Sequence, residues 1–176
     1  QVRESVTAIE GRIKAKQKEH DGFRKNATKM RGTAKRELNN LQSRKNDLEK
    51  SIRRDELQSN IANLEDAMES PRSYDHYLAG MAAIHKANAN IDEAAWRDGS
   101  SSREASQKGY TAKEKESDKF RTELLARAVD EGKAQGLNEF DADRAADTAI
   151  NGFSVLDDRP LSYFVERAAN RIREDR

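Results

Sequence analysis

The chain has three histidines, His20, His76 and His85, and their spacing decides what imidazole chemistry is open to it. None stands three or four residues from another, so no helical pair of imidazole metal ligands exists. His85 and Asp92 would meet only across two helical turns, which gives no acid–base dyad. His20 falls in an apolar rhythm and reads as a register-setting polar residue. Cysteine is absent, and with it disulfides, thiolate nucleophiles and thiolate metal sites. Asp141, Asp143 and Asp147 suggest a calcium loop, but Ala146 occupies the position that needs glycine and no glutamate closes the loop. They read instead as a helix start whose acids match the dipole. There is no G-x-S-x-G elbow and no phosphate-cradling glycine loop. The expectation is a non-enzyme with no catalytic, cofactor or metal site.

Charge is the second source of chemistry. Residues 1–50 hold 14 Lys/Arg against 7 Asp/Glu, a net of +7, so the remainder of a chain of net charge +1 carries −6. Phosphate contacts require only local positive charge. Lys14, Lys18, Arg24, Lys25, Lys29, Arg31, Lys35 and Arg36 are therefore the candidate contacts for a nucleic acid. Glu10, Glu19, Asp21 and Glu37 are interspersed among them, and the cations are spread round the helix rather than gathered in one stripe. Phe23 is the one aromatic residue of the basic stretch, so a base-stacking platform is not indicated. The competing reading is a solvated helical face.

The elements that would carry these groups are helices. Apolar residues make up 35% of the 176 positions and charged ones 37%, which suits narrow seams between long helices better than one large core. Prolines number two, and Ala, Glu, Lys and Arg are abundant. Val2, Val6, Ile9 and Ile13 follow a four–three–four spacing, the rhythm of a coiled-coil seam. The pattern continues with slips of one residue, and Leu41, Leu48, Ile61 and Leu64 form the candidate interaction seam. The fold class is all-α: long coiled-coil-like helices, in one version an antiparallel hairpin, plus a small C-terminal helical bundle. Met30-Arg31-Gly32-Thr33 is the preferred hairpin turn and Gly22 a second position for it, the alternative to the turn being a long helix that runs through Gly32.

Punctuation divides the rest. Residues 1–69 read as the charged coiled-coil-like segment. Ser70-Pro71 reads as a helix start, opening an amphipathic helix over 70–98 with Tyr74, Tyr77, Leu78, Met81, Ile84 and Ile91 on its stripe. Residues 99–110, with Gly99-Ser100-Ser101-Ser102 at their head, read as a flexible linker. Thr111-Ala112-Lys113-Glu114 has the form of a capping box and opens the C-terminal region 111–176. Shorter helices are expected from Asp141 to Ile150 and from Asp158 or Pro160 to Ile172.

Within that region, Phe140-x-x-x-Arg144-Ala145-Ala146, then Ile150, Leu161, Tyr163-Phe164-Val165-Glu166-Arg167 and Ile172 resemble the helical tails of plasmid-mobilisation relaxase and primase polypeptides and of phage polyvalent proteins. The likeness covers about a fifth of the chain and implies an accessory helical region of a DNA-processing protein, not its catalytic core. The leading functional expectation is a helical protein–protein interaction or scaffolding module, binding a protein partner or itself through the seam. The alternative is sequence-nonspecific nucleic-acid binding through the basic half. No apolar run is long enough for a bilayer span, and a cytoplasmic location is expected. Gln1 in place of Met points to a piece of a larger polypeptide.

Overall fold

A computed structural model describes residues 5–22 and 28–176. The described residues are helical with short connections, and no strand occurs among them. The six helices are α1 (Val6–Gly22), α2 (Thr28–Met68), α3 (Tyr74–Arg97), α4 (Arg103–Ala134), α5 (Glu139–Gly152) and α6 (Leu161–Glu174). The chain divides into two compact units, Gln1–Glu56 and Leu57–Arg176. The division replaces the expected boundary at 69/70, because apolar residues on the last turns of α2 pack with α3 rather than with α1.

In the first unit the Ser5 hydroxyl opens α1 by accepting from the Ala8 N–H at 3.1 Å. Ile9 and Ile13 on α1 are buried against Leu41, with Leu38 and Leu48 packed alongside. Two ion pairs cross beside this cluster: Lys45 to Glu10 at 3.1 Å, and Lys16 to Glu37. An advance along α1 is thus matched by a retreat along α2, the order of contacts expected of antiparallel neighbours. The expected turn at Gly32 does not occur. Gly32 lies inside α2, where it costs about 1 kcal/mol of helix propensity, and burial of Ala34 and Leu41 two to nine residues further on offsets that cost. Val2, Phe23, Ala27 and the Met30 side chain, the other members of the sequence rhythm, lie outside the described residues.

In the second unit α3 packs on α4, α4 on α5 and α6, and α5 on α6. The main core joins Leu78, Leu124, Ile150, Phe153, Leu161, Phe164 and Val165 with the alanines 79, 128, 146 and 149. A second cluster sets Leu64 of α2 with Ala87 and Val155, and Ile61, Met68 and Ile84 pack against it. Small residues let the helices close up. A Cβ at Gly80 would run into the Met68 sulfur, and one at Gly132 would come within 3.3 Å of the Ala142 backbone.

Two helix starts differ from expectation. α3 is capped by Ser73, not Ser70: the Ser73 hydroxyl accepts from the His76 N–H at 3.1 Å, and Pro71 falls in the preceding turn. α4 begins at Arg103, capped by Ser102, whose hydroxyl accepts from the Ala105 N–H at 3.3 Å. The stretch 99–110 is therefore helix from Arg103 onward, and the connection between α3 and α4 is only 98–102, where Gly99 takes the left-handed φ of 79°. The box Thr111–Glu114 sits in mid-helix. Ser106 is buried and Gly109 abuts Asp92 of α3, so tertiary packing secures a stretch with no apolar rhythm of its own. α6 starts after Pro160, the second of its two expected starts, with no side-chain cap. α5 opens as its acids suggest, with the Asn138 side chain accepting from the Asp141 N–H at 2.8 Å.

Candidate interaction surface

The four seam residues do not form one seam. Leu41 and Leu48 belong to the cluster with Ile9 and Ile13, whereas Ile61 and Leu64 belong to the cluster with Ala87 and Val155. Each pair is engaged within its own unit. A seam for a second chain, expected at these positions, is thus occupied by the chain's own helices.

Of the eight basic candidates, Arg24, Lys25 and the Lys29 side chain lie outside the described residues. Lys14, Lys18, Lys35 and Arg36 are exposed, and Arg31 is half-buried. At about 100° per residue, Lys14 and Lys18 fall on the side of α1 away from Ile9 and Ile13. Arg36 likewise falls on the side of α2 away from Leu38 and Leu41. The packing that joins the two helices therefore turns these cations outward on opposite sides rather than gathering them. The cations at the junction, Lys16 and Lys45, are the ones held by carboxylates, and Glu37 and Glu10 raise their pKa values above the ordinary lysine range.

The surface that does gather recognition-type side chains is on α3 and α4. These helices run antiparallel, with Asp75 paired to Arg127, the Ser117 hydroxyl donating to the Ala82 carbonyl at 2.7 Å, Lys86 paired to Glu114 at 2.7 Å and Asp92 paired to Lys113 at 2.7 Å. Sequence numbers fall on one helix as they rise on the other. Along one edge four rings touch in series. Tyr74 stacks on Tyr77 with centroids 5.9 Å apart, Tyr77 meets the edge of Phe120 at 6.3 Å, and Phe120 stacks on His85 at 5.6 Å. The Arg127 guanidinium lies over Tyr74 at 5.1 Å, and the Tyr74 hydroxyl donates to Glu123 at 2.6 Å, which raises the Tyr74 pKa. Tyr74 is 49% exposed and Tyr77 36%, so the tyrosine end of the row is open to solvent, whereas His85 is half-buried and Phe120 packs against the main core. Towards the other end of the same helix pair, Trp96 is also exposed, with Arg103 over its ring at 5.5 Å.

The periodicity of α3 points to Tyr74 and Tyr77 only as core. What it misses is that the stripe is wider than the buried face, so its tyrosine flank is left outside. Periodicity also misses His76. It is buried, with Nε2–H donating to the Asp157 carbonyl at 2.9 Å and Nδ1 accepting from the Ser73 hydroxyl at 2.6 Å. It ties the start of α3 to the α5–α6 connection, a structural task. The one signal in the sequence is a serine three residues before it. Among the described residues no group of His, Asp or Glu has the arrangement of a metal site, and no helix is long and apolar enough to cross a membrane. Comparison with protein-family models, with curated proteins and with solved structures returned no match.

Proposed function

We propose that the chain is a non-enzymatic helical interaction module that receives a protein partner on the α3–α4 surface. The observation that supports this reading is the exposed pair Tyr74–Tyr77, backed by the half-buried Phe120 and His85 and flanked by Arg127. Aromatic residues and arginine supply most of the energy at protein interfaces because they bury large rigid areas at low entropic cost. In this chain the same helices close their mutual contact with alanine, glycine and serine and leave the tyrosines outside. The first unit is a coiled-coil-like antiparallel hairpin, closed on itself by Ile9, Ile13 and Leu41, that carries charge outward on both sides. The resemblance of residues 140–172 to relaxase and phage tails is consistent with an accessory, partner-binding region of a larger DNA-processing polypeptide.

Photo-crosslinking in the source cells tests the reading. A photoreactive phenylalanine analogue in place of Tyr77 should give a discrete crosslinked protein band, and the same analogue in place of Lys115, an exposed α4 position, should not. That band should vanish when Tyr74→Ser and Arg127→Ser are added. Equal labelling from both positions would sink the proposal.

A further inference from the structure

Between the C-terminal end of α3 and the first turns of α4 lies a cavity of about 290 Å³, lined by Glu93, Trp96, Arg103, Ser106, Gln107 and Tyr110. It lies apart from the tyrosine row, and a ligand there does not depend on a partner at that row. Its size is at the lower end of small-molecule sites, roughly 300 Å³. Two of its walls are aromatic. The Tyr110 ring is held in place because its hydroxyl accepts from Lys86 at 3.2 Å and donates to Glu114 at 3.2 Å. Trp96 is 42% exposed although it stands on the last turn of a well-packed helix.

The charges decide what would enter. Glu93 is already neutralised by Arg97 at 2.6 Å. Lys86, behind Tyr110, is committed to Glu114 at 2.7 Å. Arg103 has no ion pair among the described residues; its guanidinium rests over the Trp96 ring. Its donors therefore remain available to an acceptor at the mouth of the cavity. The Gln107 amide, beside it on α4, also has no hydrogen-bond partner among the described residues. A cavity with two aromatic lining residues and one guanidinium free of an ion pair among the described residues is complementary to a carboxylate carried on a planar ring by a short spacer. Arginine and carboxylate match in geometry as well as in charge. We infer that this cavity binds an aromatic carboxylate, with the ring between Trp96 and Tyr110 and the carboxylate on Arg103. Such a group can come as a free aromatic acid or as the C-terminal phenylalanine of a peptide.

Trp96 is the single tryptophan of the chain, so its fluorescence reports the cavity directly. Titration with 3-phenylpropionate should give a saturable change with Kd in the region of 0.1–1 mM, as expected for a ligand of this size. The uncharged 3-phenylpropionamide should bind at least about 10-fold more weakly, and Arg103→Gln should remove that preference while leaving the far-UV circular dichroism unchanged, since Arg103 is exposed. N-acetylphenylalanine separates the sources: tighter binding than 3-phenylpropionate assigns the site to a chain terminus, and weaker binding assigns it to a free acid. The inference fails if neither acid gives a saturable change up to about 10 mM, or if 3-phenylpropylamine or the amide binds as tightly as the acid. It fails equally if Arg103→Gln keeps the full preference.

Discussion

The two units solve the same problem with opposite means. Residues 1–56 hold two helices together with a few large side chains, Ile9, Ile13 and Leu41 backed by Leu38 and Leu48, and with charged residues on either side. Residues 57–176 use many small ones: alanines 79, 128, 146 and 149 sit in the main core, and glycines 80 and 132 let neighbouring elements close in. A narrow seam demands bulk at each position because little else is buried. A bundle with several contact faces can use alanine, because helices that approach closely bring backbone atoms into contact and gain dispersion over a wide area. The difference also explains the surface. Where the helices of a bundle meet through small residues, the aromatic side chains of the same stripe are displaced to its margin, as Tyr74 and Tyr77 are.

The sharpest way to break this comparison is to remove bulk where the bundle does use it. Leu78 is completely buried in the main core. Leu78→Ala should cost about 3–5 kcal/mol, measured by urea unfolding followed through Trp96 fluorescence. A loss below about 1 kcal/mol would mean that the alanine framework holds the bundle without its large residues.

Next in size is the same truncation in the seam. Leu41→Ala should cost about 2–3 kcal/mol, but in a different signal. Because Trp96 lies in the second unit, the far-UV circular dichroism transition should broaden towards lower temperature while the Trp96 transition stays in place. Equal shifts in both signals would show that the two cores unfold as one, which separate clusters do not predict.

A third measurement probes the polar joint of the bundle. Asp157 accepts from the Arg159 backbone N–H at 2.9 Å and from its guanidinium at 2.8 and 2.9 Å, while its carbonyl receives His76. The guanidinium, and then the backbone N–H, hold the Asp157 carboxyl far below the usual carboxylate range. A depressed folded-state pKa means a contribution that is complete above the unfolded value of about 4 and is lost as pH falls below it. Stability should therefore decline less between about pH 5 and pH 2 in Asp157→Asn than in the wild type. His76→Ala, which leaves the Asp157 carbonyl without its donor and empties space beside Phe153, should cost about 1–3 kcal/mol at neutral pH. Parallel acid profiles for wild type and Asp157→Asn would place the acid sensitivity elsewhere.

How much of the molecule is legible in its sequence depends on whether local pattern or tertiary contact decides the matter. The all-α class, the stripe of α3 and its end at Asp98-Gly99 follow from periodicity and a left-handed glycine, both local. The start of α4 does not, because Arg103 to Gly109 has no apolar rhythm. What holds it is the Ser102 cap and the close approach of Gly109 to Asp92, and the second of these is visible only once α3 is in place. Leu41, Leu48, Ile61 and Leu64 are recognisable as buried positions, but periodicity marks a face without naming its partner. The split between two clusters is therefore hidden. For the candidate site, Tyr74 and Tyr77 are legible as apolar positions of α3 and illegible as surface. Trp96 and Arg103 come together only through a five-residue connection, where composition suggests a linker of twelve.

The smallest expected effect concerns the charge that the two units divide between them. Lys14, Lys18, Lys35 and Arg36 are exposed and have no ion pair among the described residues, whereas Lys16 and Lys45 bridge α1 to α2. Exposed charges without partners contribute little to stability, so reversing all four to Glu should change the unfolding free energy by less than about 0.5 kcal/mol. Lys45→Ala removes one crossing pair and should lower the unfolding midpoint slightly more than the quadruple reversal does. The same quadruple variant tests the nucleic-acid alternative. Because packing turns Lys14 and Lys18 away from Arg36, one duplex cannot reach all of them at once. Counterion release then involves few phosphates, so the affinity is weak already at low salt. The wild type should show no binding to a generic DNA duplex at about 0.15 M salt, where exposed charges are screened beyond roughly 8 Å. Binding at that concentration which disappears in the quadruple variant would show that the basic first unit, not the aromatic row of the bundle, is the working surface of the molecule.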